Sequence, residues 1–87
     1  MAPVSNASAI GAHASVTQSN SLVLGSNNVN VGIGTTAPKT KLHVQGGHIL
    51  VGAPGQGIIL KSPDGNTCKL LSIDNAGAMA LTPVTCP

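Results

Sequence analysis

The segments NASAIG (residues 6–11) and NSLVLG (residues 20–25) share one pattern, and they lie 14 residues apart. Each begins with Asn and a small residue, continues with three mostly apolar residues and ends with Gly. Gly and Asn adopt positive φ angles more readily than other residues, so they suit the corners of a coiled β-structure. A shortened echo, NVGIG, covers residues 30–34. These repeats predict a parallel β-roll, or β-solenoid, over residues 1–34.

Short apolar segments continue along the rest of the chain, separated every few residues by Gly, Pro, Asn or Asp. No window of about 11 residues keeps a helical apolar face without such an interruption. Val, Ile and Thr are abundant, which favours pleated structure. The segments that predict strands are residues 9–10, 21–24, 29–33, 42–44, 48–51, 57–60, 69–73 and 78–81. The whole chain is therefore predicted to be all-β.

The last third, residues 57–87, predicts a short β-meander, and residues 35–56 form a junction between it and the roll. Two turns divide this last third into three strands. In the first turn Pro63 fixes φ, Asp64 can accept backbone N–H bonds and Gly65 tolerates positive φ. Gly77 serves the second turn. A catalytic pair made of Asp64 and Asp74 is the alternative interpretation, but turn chemistry explains both residues.

The residues predicted to set corners and turns are Asn6, Gly11, Asn20, Gly25, Gly32, Gly34, Asp64, Gly65 and Gly77. Residues 32–37 also fit the dinucleotide-binding pattern G-x-G-x-x-A. That pattern needs a helix after it to hold the pyrophosphate, and Pro38 with a strand-like segment follows here instead. We therefore predict no cofactor at this segment.

Composition excludes several classes of function. The 87 residues include no Phe, Tyr or Trp, only 7% are charged, and the net charge is +2. Nucleic-acid binding is excluded, since few cations are available for phosphates and no aromatic ring can stack on bases. No apolar run approaches the roughly 18 residues of a membrane-spanning helix. We find no cluster of polar residues that predicts an enzyme, a cofactor site or a metal site.

Cys68 and Cys86 are 18 residues apart, and their spacing leaves their state open. A disulfide and two free buried thiols are both consistent with the sequence, whereas the spacing is not that of a structural zinc site. The histidines His13, His43 and His48 are each predicted to be exposed or hydrogen-bonded. A His facing a three-fold axis could bind a metal or an anion as a ring of three.

Three stretches resemble known fibre proteins. NASAIGAHASVTQSNSLVLGS (residues 6–26) is similar to the head repeats of trimeric autotransporter adhesins, and NVGIGTTAPKTKLHVQG (residues 30–46) resembles a junction motif of phage tail fibres and long bacterial surface proteins. Residues 57–87 are similar to the ends of tail-fibre-like proteins with paired Cys. The resemblance implies a left-handed parallel β-roll and a homotrimer in which three chains are packed side by side or intertwined.

The absence of aromatic residues also favours an assembly of several chains, because a closed monomeric core of this size would be thin without them. We expect a non-enzymatic, structural or adhesive segment of a homotrimeric extracellular fibre, on a virion or a bacterial surface, whose tip contacts a cell-surface receptor. The alternative is a small subunit that polymerises end to end into an extracellular β filament, since an open strand edge can template that contact.

Overall fold

The computed structural model of the protein describes residues 3–87, and every regular element in that range is a β-strand. The strands are β1 (Ala7–Ile10), β2 (Ser21–Leu24), β3 (Val31–Ile33), β4 (Leu42–Val44), β5 (Ile58–Lys61), β6 (Cys68–Ile73) and β7 (Met79–Val84). The predicted all-β class is confirmed. Residues 3–87 include no helix that is long and apolar enough to cross a membrane.

The chain divides into two compact units, of which the first ends at Ile49 and the second covers Leu50–Pro87. The first unit contains two separate parallel sheets of two strands each, β1–β2 and β3–β4. The second contains one antiparallel sheet with the strand order β5–β6–β7. The β3–β4 pair joins residues on both sides of position 34, where the sequence predicts the end of the roll.

Strands β1 and β2 pair in parallel with each residue opposite the one that follows it by 14 positions, from Ala7 opposite Ser21 to Ile10 opposite Leu24. This offset equals the spacing of the two sequence repeats. Backbone bonds continue the pairing past both strand ends. The N–H of Ser21 donates to the Asn6 carbonyl over 3.1 Å, and the N–H of Gly25 donates to the Ile10 carbonyl over 2.7 Å.

Strand β3 pairs in parallel with β4 and not with β2, so the shortened echo at residues 30–34 does not extend the β1–β2 sheet. The distance along the chain from β2 to β3 is shorter than the 14-residue repeat. Strand β4, which follows β3 by 11 positions, is its partner instead. The prediction that Gly32 forms a corner is also wrong. Gly32 lies inside β3, where a Cβ would come within 2.7 Å of the Thr35 carbonyl oxygen, so its role is to allow a close backbone approach.

The second unit is the predicted meander. Ile58 lies opposite Leu71 and Lys61 opposite Cys68 in the β5–β6 pair, and Cys68 lies opposite Val84 in the β6–β7 pair. Two tight turns join the strands, with Gly65 and Gly77 in the left-handed region at φ of 80° and 85°.

The strand predicted over residues 48–51 does not form. Gly46 and Gly47 precede this segment and Gly52 follows it, and no described strand offers it a partner. An isolated extended segment gains no ladder of hydrogen bonds, so local apolar character alone is not sufficient to make it a strand.

Very little of the chain is buried. Cys68, which is 3% exposed, is the one buried hydrophobic side chain among the described residues. Ile10 and Leu24, the last residues of β1 and β2, are 59% and 48% exposed, because a sheet of two strands has nothing packed against its apolar face.

Candidate functional site

The candidate site is a set of apolar sheet faces. Side chains alternate between the two faces of a strand, so Leu22 and Leu24 of β2 point to one side together with Ile10 of β1. All three are exposed. Leu24 and Ile10 are direct partners in the parallel ladder, which places their side chains one above the other. The β1–β2 sheet therefore presents an unpartnered apolar stripe.

The β3–β4 sheet has a similar face. Val31 is opposite Leu42 and Ile33 is opposite Val44, so these four side chains share one side of the sheet. His43 lies on the other side, opposite Gly32. Its Nδ1 atom accepts a hydrogen bond from the Lys39 backbone N–H over 3.2 Å. His43 is thus hydrogen-bonded, and it acts within the first unit as an acceptor that holds the chain before β4.

The largest apolar face belongs to the meander. It contains residues from all three strands, and we call it the meander apolar face: Ile58, Leu60, Leu71, Ile73, Met79 and Leu81. Ile73 and Met79, which are cross-strand partners, are 70% and 77% exposed. Lys69 is the one charged residue on this face. Monomeric soluble proteins seldom leave a contiguous apolar patch of this extent uncovered.

Asn side chains connect the two repeats at their first corner. Asn6 and Asn20 both adopt left-handed backbone conformations, with φ of 52° and 59°. The Nδ2 group of Asn6 donates to Oδ1 of Asn20 over 3.0 Å. Just before them, the Ser5 N–H donates to the Ser19 hydroxyl over 3.0 Å. The corner role was visible in the sequence, and the side-chain ladder follows from the 14-residue register that the two repeats share.

Glycines stack at the second corner of the same repeats. Gly11 and Gly25 have φ of 115° and 75°, and a Cβ on Gly11 would lie 3.2 Å from the Gly25 Cα atom. A side chain at this position would therefore be strained by φ and crowded by the next repeat. Gly34, at φ of 80°, ends β3 against the backbone of Gln45.

Lys41 has a role that sequence reasoning missed. Its ammonium group donates to the carbonyls of Ser26 and Val29, over 2.6 and 2.8 Å, and so holds the turn that follows β2. The two carbonyls lie 15 and 12 positions earlier in the chain. No local signal could reveal this contact, since nothing in the sequence next to Lys41 points to carbonyls that lie so far back in the chain.

Both acidic residues hold turns. The backbone N–H of Asn66 and the hydroxyl of Ser62 donate to Asp64 Oδ1 over 2.9 and 2.7 Å, and they lower the Asp64 pKa below 3.8. Since the lower pKa belongs to the folded state, these bonds stabilise the turn above pH 3.8, and that stability is lost as the pH falls through the lowered pKa.

The second carboxylate is engaged in the same way. Asp74 Oδ1 accepts bonds from the N–H groups of Ala76 and Ala78, over 3.0 and 2.9 Å. Asp64 and Asp74 therefore cap separate turns, and the hydrogen bonds of each are made to its own turn. These contacts do not form a paired acid–base arrangement.

Cys68 and Cys86 form a disulfide, with their Cα atoms 5.2 Å apart. It joins the start of β6 to the tail after β7, on the face of the meander opposite the meander apolar face. His13 and His48 lie on the surface outside the strands. Within residues 3–87, no three His, Cys, Asp or Glu side chains come together in a way that could hold a metal ion.

The arrangement combines exposed apolar surfaces with corners and turns held by hydrogen bonds. Two parallel sheets and one antiparallel sheet each present large aliphatic side chains to solvent, and the side chains of Asn6, Asn20, Lys41, Asp64 and Asp74 are used in corners and turns. No family model, no curated protein and no solved structure matches this chain.

Proposed function

We propose that this protein is a structural, adhesive segment of a homotrimeric extracellular fibre. Its three sheets pack against those of two further copies, and the parallel pairs continue a left-handed β-roll that the meander terminates. The work is mechanical: the segment keeps three chains in register and positions a tip that contacts a cell-surface receptor. The resemblance of residues 6–26 and 30–46 to fibre proteins supports this proposal.

The observation that carries the proposal is the amount of exposed surface. A globular monomer of this mass would expose about 4,700 Å². Two separate globules with the sizes of the two compact units would together expose about 5,600 Å². This chain exposes 7083 Å². The exposed side chains include large hydrophobic ones such as Leu50, Ile73 and Met79. Leaving them in water is unfavourable, and contact with other chains would remove them from it.

The size of the surplus favours two neighbours for each chain. It amounts to about 1,500 Å² relative to two globules on the same scaling. A stable interface buries about 800 Å² on each partner, so a chain with two neighbours would bury about 1,600 Å². Each subunit of a closed three-fold ring has two neighbours. Two neighbours per chain therefore account for the surplus, as in a homotrimer or an end-to-end filament, whereas a dimer would cover about half of it. The resemblance to trimeric fibre proteins favours the homotrimer.

The disulfide supports the extracellular part of the proposal. Disulfides persist in oxidising environments and are typical of secreted proteins and virion surfaces. A small domain with one buried hydrophobic side chain benefits from such a covalent link.

The test is a measurement of mass in solution. Size exclusion coupled to light scattering should give three times the chain mass of 8.5 kDa, and negative-stain images should show short discrete particles. Filaments of indefinite length would favour the alternative, a subunit that polymerises end to end. A folded protein with the mass of one chain would overturn both.

A further inference from the structure

The two outer edges of the meander differ. In an antiparallel sheet, successive residues of an edge strand direct their N–H and C=O groups alternately toward the neighbouring strand and toward solvent. The Ser62 N–H donates to the Thr67 carbonyl over 2.8 Å, so Ser62 faces β6. Because the direction alternates along the strand, Leu60 and Ile58 also face β6. Ile59 and Lys61 direct their backbone N–H and C=O groups outward. This outer edge of β5 has no partner among the described strands.

The opposite edge is interrupted by proline. The Asp74 N–H donates to the Ala78 carbonyl over 2.9 Å, which makes Ala78, Ala80 and Thr82 face β6. Met79, Leu81 and Pro83 therefore present their backbones to the outer edge of β7. Pro83 has no N–H, and its ring occupies the space that an added strand would need. Pro83 thus protects one edge of the sheet, while the β5 edge keeps its donors and acceptors free.

One segment of the chain matches the open edge. Residues 48–51 carry the sequence His-Ile-Leu-Val, and Leu50 is 88% exposed, the highest value among the large hydrophobic residues of the described chain. Within residues 3–87, no backbone hydrogen bond involves residues 48–51. The segment is therefore apolar and unpaired, with glycines on both sides that permit it to be placed differently.

We propose that residues 48–51 of one copy add as a fourth strand to the outer edge of β5 in a second copy. The proposal rests on the homotrimer proposed above and specifies how its chains interlock. Strand addition supplies partners for the outward groups of Ile59 and Lys61 and for the unbonded backbone of the donated segment. It also places Ile49 and Val51 on one face and Leu50 on the other, beside β5 residues that are apolar on both faces.

A second copy fits this edge better than another protein does. Charge gives a foreign partner little to recognise, since Lys61 at the end of β5 is the one charged residue of that strand. A second copy also brings an apolar segment that is costly to leave in water. Because Pro83 interrupts the β7 edge, the β5 edge is the open acceptor of each meander, and each copy supplies one donor segment to it.

The direct test is hydrogen exchange, resolved by residue, on the assembled full-length chain. The amides of Ile59 and Lys61 should exchange at least about tenfold more slowly than in an unstructured chain, and the alternate amides of residues 48–51 that face β5 should be protected with them. Met79 and Leu81, on the outer edge of β7, are the matched controls and should exchange rapidly. Rapid exchange of Ile59 and Lys61 in a trimer would overturn strand addition and leave the trimer standing.

A variant separates the backbone contact from the side chain. Ile59→Pro removes the outward N–H, as Pro83 does on β7, whereas Ile59→Val keeps the N–H and the branched side chain. We expect the proline variant to lose the protection of the alternate amides within residues 48–51. Its assembly should also be weaker, so that on dilution it dissociates at a higher protein concentration than the parent, whereas the valine variant should behave as the parent. Equal protection in both variants would contradict the proposal.

Mixed labelling identifies the donor chain. A trimer assembled from equal amounts of ¹³C-labelled and unlabelled protein should give isotope-filtered contacts between the Leu50 methyl groups and β5. Contacts confined to one chain would mean that the segment folds back onto its own sheet, which would overturn the exchange. A protein that remains a single chain, with Ile59 unprotected, would overturn this inference and the proposed function together.

Discussion

Gly57 lies just before β5, where the chain passes very close to the backbone of β6. A Cβ at this position would overlap the carbonyl oxygen of Leu71 and would lie 3.4 Å from the Cδ1 atom of Leu70. The φ angle of Gly57 is not in the left-handed region, so its role is to leave space rather than to permit an unusual conformation. The identity of this residue is fixed by a strand that follows it by more than ten positions.

We therefore predict that Gly57→Ala destabilises the meander by about 1–3 kcal/mol, the usual cost of inserting a methyl group into a site with no room for it. The midpoint of urea unfolding measures the effect. Gly47→Ala is the matched control, because no atom lies within 4 Å of the Cβ that it would add. Equal midpoints for the two variants would contradict this account of Gly57.

Residues also show what the sequence could and could not predict about the site. The corner roles of Asn6, Asn20 and the glycines follow from residue type, since few other residues tolerate positive φ. The contacts of Lys41 with two distant carbonyls do not, because they depend on how β2 and β4 are positioned in space. Gly32 resembled a corner residue but serves a close approach, which residue type alone cannot distinguish.

At the scale of elements, the antiparallel part was predictable and the parallel part was predictable only in part. The turns at residues 63–66 and 75–77 contain strong local signals, so the meander order follows directly from them. Parallel pairs are formed by residues far apart along the chain, and only repetition reveals them. The pair β1–β2 repeats its sequence, whereas β3 and β4 do not, and their pairing was missed.

The disulfide holds the last element in place. It links Cys68 of β6 to Cys86, beyond β7, and closes a loop of 18 residues. In the chain-entropy model, a loop of this length contributes about 3 kcal/mol to the stability of the folded state. Chain ends fray unless they are tied down, so the tail after β7 would fray without the covalent link.

We predict that the variant Cys68→Ala with Cys86→Ala has a lower melting temperature and faster amide exchange in β7. The β1–β2 pair should keep its exchange rates, because it belongs to the other compact unit. The parent chain, in turn, should resist alkylation until it is reduced. Unchanged exchange in β7 after removal of both sulfur atoms would show that the link does not restrain the strand.

At the scale of the whole molecule, the chain exposes aliphatic side chains of the kind that other proteins bury in a core. Sequence composition anticipated this property, because the absence of aromatic residues limits how much area each residue can bury. It could not indicate which faces meet, since the side chains of all three sheets are aliphatic and similar in size. In the proposed trimer, shape and register rather than residue type would decide the contacts between chains.

A substitution in the β1–β2 stripe tests whether that face is covered in the assembly. Leu24→Asp would place a carboxylate beside Ile10 in a surface from which neighbours exclude water, and an unpaired charge there is costly. We expect it to prevent assembly, measured as a fall in mass by light scattering. Lys39→Asp, at an exposed position outside the strands, is the control and should assemble normally. Full assembly of both variants would show that the stripe faces solvent.

The register of β1 and β2 has a consequence for how such a gene can change. Every pair of partners is 14 residues apart, so a tandem duplication of residues 12–25 would present the same Asn, the same Gly and the same strand edge to its neighbours. Each added copy would lengthen the stack by about 4.8 Å, the distance between paired strands. Duplication or loss of 42 nucleotides would thus change the length of the stack in fixed steps. In the proposed fibre, selection could therefore change the length of the stack while the contacts between repeats stayed the same.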